Sequence, residues 1–240
     1  MGMQKELPCS LKGMESFSRQ EFTRAMGSDY GMTEPQAAYD LKKRLDQGIL
    51  VRYGWGRYSL PVKQTYRHRY SDSAINVVKT ISDGYEGLDF QAFELIQLNN
   101  FMNHQVAHNT IFVTIENDLI DYVFDTLWKA YPGKVLLKPK VDQYYRYRQD
   151  NEIVVGRLPS ETPKGIDKPW MSRLEKILVD VFTDKLVSAI VPEGEKEGII
   201  DGAFNDYMID QNTIIRYARR KGTERKMMEV LSEYGKVAAQ

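Results

Sequence analysis

Cysteine is almost missing: the chain of 240 residues holds one, Cys9. A single thiol excludes an intramolecular disulfide and fits a reducing compartment. Net charge is missing too, because 33 basic and 33 acidic side chains cancel. No apolar run approaches the roughly 20 residues that a membrane-spanning helix needs. The first residues lack the charged, apolar, small-residue succession of a secretory signal. Internal repeats, low-complexity tracts and a Gly-rich phosphate loop behind a strand are also lacking. These absences predict a soluble, cytoplasmic protein that needs no cofactor and meets no membrane. What is present suffices for a core: 42% of residues are hydrophobic and 11% aromatic. The length suits one large domain or a small plus a medium one.

The balanced charge is unevenly spread. Residues 1–70 hold 12 basic and 7 acidic side chains, and the remainder holds 21 and 26. A basic head on an acidic body suggests that the head meets a polyanion.

The first sixty residues carry a readable order of elements. In SFSRQEFTRAMG, Ser18 can cap a helix with Glu21 three residues on, and Phe17 and Phe22 are spaced as a hydrophobic staple. Gly27 is the expected end of that helix. A second helix starts at Thr33, takes Pro35 in its first turn and ends at Gly48. Ala38, Leu41 and Leu45 would form its buried stripe, with Gln36, Tyr39, Asp40 and Lys43 on the other side. The period then becomes extended, and GILVRYGWGRYSL reads as a hairpin turning at Gly54-Trp55-Gly56. Two helices about one turn apart and then a hairpin is the order of a winged helix-turn-helix. Leu41, Leu45, Gly48, Leu50, Arg52, Gly56, Tyr58 and Leu60 resemble the closing pattern of the N-terminal domain of bacterial regulators.

Such a domain would bind double-stranded DNA. Lys43 and Arg44 on the second helix, with Arg52 and Arg57 on the hairpin, would contact phosphates. Gln36 and Tyr39 would meet base edges, Thr33 would open the helix at the groove, and Trp55 would cover sugar or pack beside the wing. Many winged helices dock proteins instead, so a protein-interaction module is the competing use.

Beyond a polar stretch at 63–73, read as a linker, the pattern is mixed. TIFVTIE, KVLLKPK and EIVVGRLP read as strands, and NDLIDYVFDTLWKAYPG as an amphipathic helix between the first two. From Trp170 the chain turns helical, with MSRLEKILVDVFTDKLVSAI burying Leu174, Ile177, Leu178, Val181 and Phe182. The sequence thus predicts an α+β protein. A winged helix-turn-helix spans 1–62, a linker 63–73, and a helix-rich α+β domain with a small mixed or parallel sheet 74–240.

Four segments of this body carry a family resemblance: NNFMNHQ, VFDTL, LEKILVDVFTDK and AFNDYMIDQNTIIRYARRKG, in that order. Together they resemble the AbiEi-type antitoxins, the antitoxin-regulators of type IV toxin–antitoxin systems, over residues 74–225. The resemblance implies a non-enzymatic transcriptional autorepressor that binds, as a homodimer, inverted repeats upstream of its own operon. It also implies a partner, a nucleotidyltransferase-like toxin that the body opposes.

Other constellations offer weaker chemistry. Glu116, Asp118, Asp121 and Asp125 follow a strand as metal ligands do, which keeps a metal-dependent nucleic-acid-processing enzyme as the alternative. The last three also share the spacing of a solvated helix face. His104 and His108 stand four apart, as helical zinc ligands can, but without a third ligand nearby in sequence. Arg216, Arg219 and Arg220 would share one face of a helix and offer it to a nucleic acid or an acidic partner. The position of Arg219 and Arg220 in its last turn has a local explanation in the helix dipole.

Overall fold

A computed structural model describes residues 7–11, 14, 16–46, 49–54, 56–60 and 64–234. The chain divides into two compact units, residues 1–64 and 65–240. Both are mixed helix and strand, so the α+β class holds.

The first unit builds from its capping residues. A 3₁₀ turn at Cys9–Leu11 precedes β1 (Phe17–Ser18) and α1 (Arg19–Tyr30). Ser18 caps α1 in a capping box with Glu21, and the Phe17 and Phe22 rings stack at 5.9 Å. The helix does not stop at Gly27. It runs one more turn to Tyr30 and ends at Gly31, whose φ of 65° carries the left-handed closing turn. Helix α2 (Glu34–Asp46) follows, then the hairpin strands β2 (Val51–Gly54) and β3 (Arg57–Ser59). The three strands pair antiparallel in the order β1-β3-β2, with a bulge between Arg52 and Gly54. Phe17, Phe22, Met26, Ala37, Leu41 and Leu50 form the core. The buried stripe of α2 keeps Leu41 and the half-buried Leu45 as expected, but Ala37 is buried where Ala38 was expected.

The second unit begins earlier than the sequence suggests. Residues 65–71 are not a free connector, because Tyr66 and Tyr70 pack into hydrophobic clusters of this unit. Ser71 then caps α3 (Asp72–Gly84). A strand without a clear sequence signal follows, β4 (Phe90–Glu94). Next come β5 (Thr110–Ile115), α4 (Ile120–Ala130), β6 (Val135–Leu137), α5 (Val141–Tyr147) and β7 (Glu152–Arg157). The sheet order is β4-β5-β7-β6, with β4 antiparallel to β5 and the other pairs parallel. The strand–helix–strand unit is thus present, but β7 lies between the two strands that α4 connects. One sheet face packs on α3 and α4 through Ile111, Val113, Ile153 and Val155. The other packs, through Phe93, Phe112 and Val154, on the helical remainder.

That remainder is α6 (Leu174–Thr183), α7 (Lys185–Ile190), α8 (Lys196–Asp206), α9 (Gln211–Arg220) and α10 (Glu224–Glu233). The long helix expected from Met171 to Ile190 is broken at Asp184, whose carboxylate caps α7 by accepting from the Leu186 and Val187 amides. The strand β4 is closed on its outer edge by the chain entering α6. Ala92 donates to the Trp170 carbonyl at 2.8 Å and accepts from the Ser172 amide at 3.1 Å. Tyr70 adds a clasp there, donating to the Ala92 carbonyl and accepting from the Ser172 amide.

Candidate nucleic-acid interface

Helix α2 turns two chemically distinct faces outward and inward. Outward stand Gln36, Tyr39 and Lys43, all exposed, with Thr33 exposed just before the helix. Tyr39 is 73% exposed, so its ring and hydroxyl are free to meet a partner. Tyr30, Met32, Pro35 and Asp40 join them around a shallow groove beside the end of α1. Gln36 is partly engaged: its side-chain carbonyl accepts from the Thr33 amide at 2.9 Å. That is half of a capping box, and it leaves the amide NH₂ group of Gln36 as its outward donor.

Arg44 does not belong to this face. It is 2% exposed, points inward with Ala37 and Leu41, and its Nε sits 2.5 Å from the Asp40 carboxylate. A guanidinium so enclosed cannot reach a phosphate without breaking the pair, so the sequence-based assignment of Arg44 is corrected to a structural one. The missed signal was its position: 37, 41 and 44 fall on one helical stripe.

The hairpin carries the other cations. Arg52 is exposed on β2, directly opposite Tyr58. Arg57 is exposed on β3, with its guanidinium donating to the Ser16 hydroxyl at 2.8 Å and the Ser16 carbonyl at 2.9 Å. These bonds hold the charge in a fixed place without neutralising it. Gly56 takes φ 67°, the turn conformation a side chain resists. Trp55 lies outside the described residues. The unit itself holds 10 basic and 7 acidic residues, since Arg67 and Arg69 fall in the second unit.

In the second unit the arginine face of α9 is largely spoken for. Arg219 makes a two-pronged pair with Glu224 at 2.9 and 2.6 Å, and Arg220 pairs with Glu161. Arg216 is exposed and lies 3.5 Å from the Thr213 hydroxyl. Lys221 turns inward to Asp180 at 2.6 Å. Asp180 also receives Lys176 at 2.8 Å and the Tyr217 hydroxyl at 3.3 Å. Burial would raise the Asp180 pKa, but the two ammonium groups outweigh it and hold the carboxyl below its ordinary value. Burial pushes the Tyr217 phenol up. Three charged residues of α6 are thus buried, which a one-sided amphipathic pattern does not show: Lys176 and Asp180 pair with each other, and Glu175 separately holds Arg173 and the Asp210 amide.

The acidic run leading from β5 into α4 stays apart. Glu116, Asp118, Asp121 and Asp125 are all exposed, and among the described residues no three His, Cys, Asp or Glu side chains group closely enough to hold a metal. His104 meets Glu195 at 2.6 Å rather than His108. Cys9 is exposed.

A family of unknown function, DUF6577, matches residues 36–236. The chain belongs to that family. No curated protein matches it.

Proposed function

We propose that the first unit is a winged helix-turn-helix that binds double-stranded DNA, and that the protein is a transcriptional regulator. One observation carries this reading. The exposed Gln36–Tyr39–Lys43 face of α2 shares a small unit with a two-stranded ribbon bearing Arg52 and Arg57. The sheet order β1-β3-β2 behind a helix pair suits that fold. A helix face of mixed donor, ring and cation can enter a major groove, while the ribbon cations follow the phosphates. The resemblance of residues 74–225 to AbiEi-type antitoxins extends the proposal. The regulator would repress its own operon as a homodimer on inverted repeats, and would oppose a nucleotidyltransferase-like toxin.

Fluorescence anisotropy against the DNA upstream of the gene, compared with scrambled DNA over a salt series, tests the DNA reading. Tighter binding to the native sequence is expected, with log K falling by about 0.9 per phosphate neutralised. Absence of binding to either DNA at low salt would turn the first unit into a protein-docking module. Co-expression with the product of the adjacent gene tests the antitoxin role: relief of its growth arrest is expected, and persistence of the arrest would remove that role.

A further inference from the structure

The second unit is acidic as a whole, with 23 basic and 26 acidic residues. One cleft on it nevertheless gathers cations. It opens where the parallel strands β5 and β7 end, and its volume is about 510 Å³. Thr114 and Gly156 lie at its base, and Val141, Val154 and Leu186 supply apolar wall. Around it stand Lys138, Lys140, Arg157 and Lys185, all exposed. Among the described residues, none of these four has an ion-pair partner. The two acids of the cleft are already answered: Asp180 by Lys176 and Lys221, and Asp184 by the α7 amides and Lys221.

Topology explains why an opening exists there. The chain leaving β5 enters α4 on one sheet face, while the chain leaving β7 goes on to α6 on the other face. Neighbouring parallel strands whose connections part to opposite faces leave a crevice at their carboxyl ends, and ligands of open sheets bind in that crevice. Lys138 is held at its edge by strained backbone. Its φ is 42°, and its amide donates to the Val155 carbonyl at 2.8 Å.

We propose that this cleft binds a nucleotide, the phosphates meeting the lysine rim and the base lying against the apolar wall. Inorganic phosphate would leave most of the volume and the wall uncovered. An uncharged apolar molecule would leave four cations unanswered. A nucleoside phosphate supplies both halves and fits the size range of small-molecule sites. The inference does not depend on DNA binding by the first unit.

The test is calorimetric titration of the full chain at low salt with ATP, GTP, CTP and UTP. The nucleoside of the best binder, inorganic triphosphate and a single-stranded oligonucleotide are titrated beside them. At least one nucleotide should bind, with its nucleoside and triphosphate alone each weaker by about tenfold or more. The variant Lys138→Gly/Lys140→Ala, folded as judged by its thermal melt, should lose at least about tenfold, whereas Lys79→Ala on the exposed side of α3 should lose nothing. Any of four results overturns the proposal: no nucleotide binding, triphosphate as good as the nucleotide, equal loss in both variants, or no loss in the double variant. Tighter binding of the oligonucleotide than of every nucleotide would overturn it too, in favour of a polymer groove.

Discussion

Adjacent basic residues on α2 should respond to the same substitution in different assays. Lys43→Ala removes an exposed cation, so stability should stay within about 0.5 kcal/mol while the salt slope of DNA binding drops by about one unit. Arg44→Ala empties a buried position and strands the Asp40 carboxylate, so denaturant unfolding should show a loss of about 2 kcal/mol. A second residue-scale prediction concerns pH. Asp180 binds its proton less readily in the folded chain than in the unfolded one. Its contribution is therefore complete above the unfolded aspartate pKa of about 3.9 and is lost as pH falls through the lower folded value. Lys221 behaves inversely. Burial would lower its pKa, but Asp180 and Asp184 more than offset this and raise it. Its contribution is complete below the unfolded lysine pKa of about 10.4 and lost as pH rises through the folded value. Urea unfolding at pH 7 and pH 3 should show a smaller acid loss for Asp180→Asn than for the parent chain.

At the scale of elements, the end of α1 gives a test with opposite signs. Gly27 lies inside the helix, and a Cβ there would meet the Met32 carbonyl at 3.4 Å, an ordinary contact. Gly31 lies beyond the helix in the left-handed region. Gly27→Ala should therefore stabilise by up to about 1 kcal/mol, and Gly31→Ala should destabilise by about 1 kcal/mol, both read from thermal melts. Caps and period were the legible signals here. Ser18 and Glu21 marked the start of α1, and the short β-branched apolar runs TIFVTIE and EIVVGR marked β5 and β7. Strand β4 was not legible because FQAFE is buried on every residue, with the Gln91 amide donating to the distant Pro163 carbonyl and the Glu94 carboxylate accepting from Ser71 and Asn109. The break at Asp184 was hidden because apolar residues continue in helical spacing across it. At the candidate interface, Gln36, Tyr39, Lys43, Arg52 and Arg57 are exposed as expected, whereas Arg44 turns inward because Ala37, not Ala38, joins Leu41 on the buried stripe.

For the whole molecule, each hydrophobic cluster falls inside one unit. Residues 65–240 alone should therefore fold cooperatively, with one thermal transition and the far-ultraviolet signal of a mixed fold. A piece beginning at residue 74, the boundary expected from sequence, would lose Tyr66, the Tyr70 clasp and the Ser71 cap, and should melt lower. Retention of the full melting temperature without residues 65–73 would show that this segment adds nothing.

The outer edge of β4 also sets an order of events during translation. Its partner, Trp170–Ser172, is made about 80 residues after Ala92. At about 5–20 residues per second, the outer edge of the strand waits roughly 4–16 seconds for its partner to be made. For that interval the nascent chain exposes the kind of open edge that invites a second strand from elsewhere. Tyr70, made before the strand, donates its hydroxyl to the Ala92 carbonyl and so covers one acceptor of that edge until the late segment arrives.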